Sequence, residues 1–354
     1  MDTVSDSMLA RGLVFIGGFT VLYYMLKWSW ICWCGFRVYV LSKVWQTDLK
    51  AFGQWAVVTG ATSGIGKAYA NELARRGLDI VLVSRSKEKL HIVAKEIENQ
   101  HGRQTQIIQT DFTEGHDIYP AIAEALRDLD IGILVNNVGM NYSDKLVHFL
   151  DIPNPEQRTT QVINCNILSV TQMTRLVLPR MVARGNGLII NMSSEAGAQP
   201  QPMLSLYSAT KIFVTYFSRS LNSEYRSQGI TVQCVAPFMV STNMTHNLPP
   251  NPLLKSASAF AREALNTVGH SSYTSGCVSH ALQVGTPLLH SNIQNKLLYN
   301  IFVTLAKNEP CRMNSIYYYT ILCDCKYLGL SLPSHSTLLC LFSSLIGCAF
   351  HPTV

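Results

Sequence analysis

Apolar positions follow two different patterns along the chain. From Leu13 to Phe36 they are nearly continuous, 24 residues interrupted by one charge, Lys27. A run of that length is enough for a tilted helix to cross a hydrocarbon layer, which takes about 20 residues. From Trp55 onward, short apolar runs alternate with segments of helical spacing. WAVVTG, DIVLVSR, TQIIQTD, GILVNN, GLIINMSS and ITVQCVAP read as strands. KAYANELARRG, Lys87 to Asn99, Thr171 to Arg184 and Ser208 to Arg226 read as the helices between them. Near-continuous Val/Ile/Leu strands imply burial on both faces, hence a mostly parallel sheet covered by helices. The pattern predicts an α/β doubly wound domain over residues 51–283, preceded by a membrane anchor over 1–50. Residues 284–354 form an atypical C-terminal segment without legible periodicity; Thr337 to Phe350 is uncharged but short for a membrane span.

The flanks of the apolar run add to its meaning. Trp28, Trp30 and Trp33 suit a membrane interface, and no A-x-A cleavage site follows in register, so a retained anchor is expected rather than a cleaved signal peptide. Arg11 alone precedes the run, whereas Lys27, Arg37, Lys43 and Lys50 lie within or after it. The positive-inside rule then leaves the main domain in the cytosol.

Composition narrows the class. Charged residues make up 14% against 47% hydrophobic, and mean hydropathy is +0.14, which excludes a largely disordered chain. The net charge of +6 comes without any block of five or six like charges, so nucleic acid is not an expected partner. Of the 10 cysteines, five crowd between Cys311 and Cys348 and none lies from Gly35 to Gln161, which is no disulfide framework. Cys323 and Cys325 alone cannot supply four zinc ligands, and no metal site is expected. Asn141-Tyr-Ser and Asn191-Met-Ser are glycosylation sequons in form only, given a cytosolic domain.

The chemistry starts at the first strand-to-helix turn. Thr59-Gly-Ala-Thr-Ser-Gly-Ile-Gly66 places glycines where backbone can approach a pyrophosphate, and the helix N-terminus that follows attracts it. The second strand ends in Ser84-Arg85 where an NAD site usually carries a carboxylate. A guanidinium there favours a 2′-phosphate, so NADPH/NADP+ is the expected cofactor; read blandly, Arg85 is a solvated loop charge. Tyr207 and Lys211 stand four residues apart, on one helix face, and Ser194 lies 13 residues upstream at a strand's carboxyl end. A nearby ammonium favours phenolate, and Lys211 is the expected source.

TGATSGIG, NNVG (136–139), Asn166, Ser194 and Tyr207-x-x-x-Lys211, together and in this order, resemble the short-chain dehydrogenase/reductase family. Within it the chain is similar to the membrane-anchored 17β-hydroxysteroid dehydrogenases, over about residues 53–283. The resemblance implies a Rossmann fold and a tetrad of Asn166, Ser194, Tyr207 and Lys211. It implies cofactor contacts from Gly60, Ser63, Gly64, Ile65, Gly66, Ser84, Arg85, Asp111, Asn137, Gly139, Tyr207, Lys211, Pro237, Val240 and Thr242. Asn136 would support the cofactor's floor with Gly139, and Asp111 would touch the adenine, although an Asx-turn cap is its bland reading. Asn164 competes with Asn166 for the tetrad amide, but Asn166 carries the family's register. Phe238 stands where many relatives have glycine and would narrow the pocket mouth.

The resemblance further implies a ketone reductase at the endoplasmic reticulum membrane, its catalytic domain cytosolic. The expected substrate is a 17-keto steroid, with a long-chain 3-oxoacyl-CoA as the alternative and a cofactor-binding scaffold without turnover as a third reading. The scarcity of basic residues around Met239 to His270, where only Lys255 and Arg262 occur, tips the choice to the steroid. Candidate partners are thus an apolar ketone (steroid or acyl-CoA), the membrane, and a second copy of the chain in a homodimer.

Overall fold

The computed structural model describes residues 2–285; the clustered cysteines and the uncharged stretch near the C-terminus lie outside the described residues. Helix α1 (Asp2–Tyr39) comes first. Every large apolar side chain on it from Val14 to Phe36 is exposed, Phe15 at 84% and Trp30 at 67%. This apolar surface faces outward all round and packs against none of the described residues, and its length suits a bilayer.

Seven parallel strands make the domain's sheet. In chain order the elements are β1 (Trp55–Thr59), α2 (Gly64–Arg75), β2 (Asp79–Ser84), α3 (Lys87–His101), β3 (Thr105–Gln109), α4 (Tyr119–Ala125), β4 (Ile131–Asn136), α5 (Pro155–Ile163), α6 (Ser169–Arg184), β5 (Gly187–Met192), α7 (Ser205–Tyr225) and β6 (Ile230–Val235). They continue with β7 (Val240–Ser241), β8 (Lys255–Ser256), α8 (Ala257–Asn266), β9 (Tyr273–Thr274) and α9 (Val278–Gly285). The sheet order is β3-β2-β1-β4-β5-β6-β9, with every pairing parallel. The order reverses between β1 and β4, and at such a switch point the strands' carboxyl ends open a ligand crevice. β7 and β8 pair separately, over the loop that leaves β6.

Both sheet faces are covered, as the unbroken apolar strands required. One face buries Ala56, Val58, Ile80, Leu82, Ile133, Val135, Leu188 and Ile190 beneath α2, α3 and α8. The other buries Val57, Val81, Leu134, Ile189 and Val232 beneath α4, α6 and α7. Alternate residues of one strand therefore enter opposite cores, which fixes the register.

Candidate active site

The turn after β1 leaves no room for a side chain at Gly60 and Gly66. Gly60 holds φ +66°, the left-handed region, and its amide donates to the Val83 carbonyl oxygen at 2.8 Å. A Cβ on Gly66 would fall 2.3 Å from the Gly60 carbonyl oxygen and 2.4 Å from Asn137 Nδ2. Ser63 is extended and precedes the first helical residue, Gly64, while Ile65 packs onto the core below. The N–H groups that begin α2 thereby face the crevice with their dipole, a fit for a pyrophosphate. Ser84 Oγ lies 2.9 Å from Thr62 Oγ1 and ties the end of β2 to this turn.

The ends of β2 and β3 bring one cation near one carboxylate: Arg85 is exposed, with Nη1 3.9 Å from Asp111 Oδ2. Asp111 also accepts from the amide and the hydroxyl of Thr113, at 3.0 and 2.9 Å, which makes it an Asx-turn cap. After β4, Asn137 Nδ2 donates to the Thr59 carbonyl oxygen at 3.0 Å, and Thr59 Oγ1 accepts from the amides of Asn137 and Val138. Asn136 does not belong to the floor: its buried amide donates to Thr174 Oγ1 and to Asn191 Oδ1, knitting β4 to β5 and α6. Period-two alternation explains the difference, since Asn136 points into a core where Asn137 points to the turn. Asn191 is itself fully buried and donates to Ser218, which closes that sequon to a glycan.

The reacting end gathers the four tetrad candidates. Between α5 and α6 the helix widens into a π turn, Asn164–Leu168, a distortion often found at functional sites. The bulge splits its two asparagines: Asn164 Nδ2 turns away to the Thr113 carbonyl oxygen, whereas Asn166, 1% exposed, turns in. Asn166 Oδ1 accepts from the Met140 amide at 2.8 Å, and its Nδ2 donates to the Met140 carbonyl oxygen and to Thr210 Oγ1. Ser194, just past β5, accepts from the Ala196 amide and hydrogen-bonds with Tyr207. Lys211 is buried one turn further along α7, and Nζ donates to the Met192 carbonyl oxygen at 3.0 Å. Gly139 faces that ammonium, its Cβ position 3.3 Å from Nζ.

The electrostatics correct one expectation. Burial raises the Tyr207 phenol above its ordinary value, and the opposing pull comes from Ser194's hydrogen bond, not from Lys211. Lys211 is desolvated too, which brings its ammonium down to about 8. Nζ is aimed at the Met192 carbonyl oxygen and stands 5.6 Å from the centre of the Tyr207 ring.

The loop after β6 closes the site. Pro237 is buried and its carbonyl oxygen accepts from the Glu195 amide at 3.0 Å; Val240 is buried in β7. The Thr242 methyl lies 3.1 Å from the Cβ position of Gly64, so the loop returns to the Gly-rich turn. Phe238, 37% exposed, stands at the rim. Direct contacts thus join the Gly-rich turn to Ser84, Asn137 and Thr242, and bring Asn166 and Gly139 against α7, in one cluster past the carboxyl ends of the strands. Thr59, Thr62 and Thr210, which sequence reasoning passed over, hold it together; the one signal was their place inside TGAT and YSATK.

Residues 54–252 match the sequence profile of the short chain dehydrogenase family. The chain belongs to that family. It is similar to a very-long-chain 3-oxoacyl-CoA reductase-B of Danio rerio, 45% identical over 289 residues, 81% of this chain and 92% of the relative. Reductases of like description from Anas platyrhynchos, Mus musculus and Homo sapiens are similar as well. A 17-beta-hydroxysteroid dehydrogenase type 3 of Rattus norvegicus is 49% identical over 234 residues, 66% of this chain and 75% of that one. Among solved structures, a short-chain dehydrogenase from Sphingobium yanoikuyae in complex with NADPH superposes with a TM-score of 0.57 at 30% identity, covering 74% of this chain and 97% of that one. This short-chain dehydrogenase is an NADP(H)-dependent oxidoreductase that interconverts carbonyl and CH–OH groups.

Proposed function

We propose that the chain reduces long-chain 3-oxoacyl-CoA thioesters to their 3-hydroxy forms at the endoplasmic reticulum membrane, its catalytic domain on the cytosolic side. The observation that carries the substrate is the extent of likeness: the match to the Danio rerio reductase spans 92% of that protein, against 75% for the steroid dehydrogenase. That reverses the weighting reached from the scarcity of basic residues. An anchored helix fits a substrate whose acyl chain partitions into lipid. A homodimer remains part of the proposal.

NADPH, when bound, would supply the hydride that adds to the 3-oxo carbon. Ser194 hydrogen-bonds the substrate carbonyl oxygen where negative charge develops, and Tyr207 donates its phenolic proton to that oxygen. Burial keeps the phenol protonated until then. Lys211 holds the ribose, and Asn166 fixes the Met140 backbone and the turn of α7 that carries Tyr207 and Lys211. Gly60 to Gly66 hold the pyrophosphate; Ser84, Arg85 and Asp111 hold the adenosine end; Asn137 and Gly139 form the floor; Pro237, Val240 and Thr242 meet the nicotinamide.

Reduction of a 17-keto steroid is the second reading, favoured by the Rattus norvegicus relative and by the scarcity of free basic residues from Met239 to His270. Lys255 Nζ is 2.9 Å from Glu263, so that lysine is already neutralised where a coenzyme A phosphate would need it. Membranes carrying the full chain, or its Tyr207→Phe variant, are incubated with NADPH and either a long-chain 3-oxoacyl-CoA or androstenedione. Tyr207-dependent turnover of the thioester is expected. Turnover of androstenedione alone selects the second reading, and turnover of neither selects the scaffold.

A further inference from the structure

The described residues contain one fully buried histidine that the proposed chemistry leaves unused. His280 comes from α9, beyond the sheet's last strand, and is 0% exposed. Its ring reaches back to the loop that leaves β6. Nδ1 accepts from the Phe238 amide at 3.3 Å, and Nε2 donates to the Met239 carbonyl oxygen at 3.1 Å. A neutral ring protonated on Nε2 satisfies the Phe238 and Met239 bonds, and the Ser275 backbone adds a third main-chain contact. The ring is kept in place by Phe260 of α8, 5.5 Å between centres at 32°, and meets Phe238 edge-on at 6.5 Å.

Two consecutive residues are thus clasped by one side chain at the middle of a loop whose ends are also tied. Pro237 is held through the Glu195 amide, and Thr242 packs at Gly64. Burial brings the imidazole down to about 4, so it is neutral at ordinary pH with Lys255 and Glu263 as the charges that act on it. A buried ring making its hydrogen bonds to main chain transmits position efficiently, because losing one leaves a buried polar group unpaired.

We propose that His280 is a positioning residue for the cofactor: it sets the course of Phe238–Met239 and so places Val240 and Thr242 against the nicotinamide half of NADP(H). The inference rests on the reading that the Pro237–Thr242 loop meets the nicotinamide. It assigns the segment after the sheet a part in cofactor binding, although it touches no cofactor atom itself.

The test uses the full chain in detergent micelles and two ligands: NADPH, and adenosine 2′,5′-bisphosphate, which has the adenosine end and no nicotinamide. His280→Phe keeps a flat ring of similar size in the aromatic pocket and removes both nitrogens. It is expected to weaken NADPH about ten-fold, the equivalent of 1.4 kcal/mol, and to leave the bisphosphate unchanged. His280→Gln, which keeps a donor and an acceptor, is expected to recover most of the loss. Unchanged NADPH affinity in His280→Phe, equal loss of both ligands, or a Gln variant as weak as the Phe one overturns the proposal. Thr242→Ala separates the two levels. If it weakens NADPH while His280→Phe does not, His280 has no positioning role; if it leaves NADPH untouched, the reading of the loop itself fails.

Discussion

Lys211 Nζ stands 5.6 Å from the centre of the Tyr207 ring, one helical turn away, and spends its hydrogen bond on the Met192 carbonyl oxygen. The two side chains are stacked by α7 while their polar atoms look at different things, the phenol at Ser194 and the ammonium at the end of β5. Proton donation and ribose binding are therefore separable in a variant. Tyr207→Phe keeps the ring that packs against the cluster around Tyr142, Ile152 and Val162 and deletes only the hydroxyl. Turnover is expected to fall by about 10² or more, the usual scale for losing a general acid, with NADPH affinity within about two-fold. Stopped-flow binding and steady-state rates on one preparation check both halves.

Arg85 is solvent-exposed, and its neighbour Asp111, 3.9 Å off, is a carboxylate already committed to Thr113. The guanidinium is thus the one cation among the described residues proposed here for the 2′-phosphate. Arg85→Asp places a like charge there and is expected to lower kcat/KM for NADPH relative to NADH by about ten-fold or more. An unchanged ratio would make Arg85 a surface charge with no part in cofactor choice.

Much of this site was legible because the sheet is buried on both faces. A strand such as ILVN or LIIN must then be apolar without alternation, and its polar neighbours at the carboxyl end stand out as ligands of the crevice. The six long strands and the four helices α2, α3, α6 and α7 lie within a few residues of the expected ends, whereas the shorter α4, α5, α8 and α9 were not read. β7, β8 and β9 were not, since two residues paired through backbone carry no periodicity. The π turn at Asn164–Leu168 was equally silent: it changes which carbonyl each amide meets, not the apolar pattern. Asn136 was misplaced because sequence shows adjacency, whereas a strand sends adjacent side chains to opposite faces. His280 and Glu195 act through distant backbone, and nothing local in the sequence marks such contacts.

Glu195 follows Ser194 and is 8% exposed, between Tyr273 Oη at 3.4 Å and Ser275 Oγ at 3.3 Å. Desolvation raises its carboxyl to about 7, against which the two hydroxyls pull only in part. The folded chain then holds a proton that the unfolded chain releases near its ordinary pKa of 4.5. The stability from that preference is complete below about pH 4.5 and is lost as pH rises to about 7, up to about 3 kcal/mol in all. Glu195→Gln keeps polar contact with both hydroxyls and cannot ionise. Its melting temperature relative to the parent is expected to climb between pH 5 and pH 8. A difference that stays flat across that range would show the carboxyl to be solvated.

The end of the apolar helix α1 is also the start of the folded domain, and the two can be cut apart. From Val14 to Phe36 the large apolar side chains of α1 face outward, but at Val38 burial begins, and Ser42 and Leu49 continue it. The Tyr39 hydroxyl oxygen accepts from Thr274 Oγ1 and from the Ser275 amide, both at 3.2 Å, beside the strand that edges the sheet. Thr47 Oγ1 donates to the Val268 carbonyl oxygen at 2.8 Å, and His270 Nε2 bonds the Trp45 carbonyl oxygen at 2.8 Å. Removing residues 2–36 takes away apolar surface that no part of the described domain covers, so the product is expected to leave the membrane fraction and keep its melting temperature within about 2 °C. Removing residues 2–47 also breaks these four hydrogen bonds and exposes β9. At about 1 kcal/mol for each bond the second product should melt several degrees lower. Flotation of each protein with liposomes reports the first effect and thermal melts report the second. Equal melting of the two truncations would mean that Tyr39 to Thr47 only trails from the helix, without bracing the edge of the sheet next to Glu195.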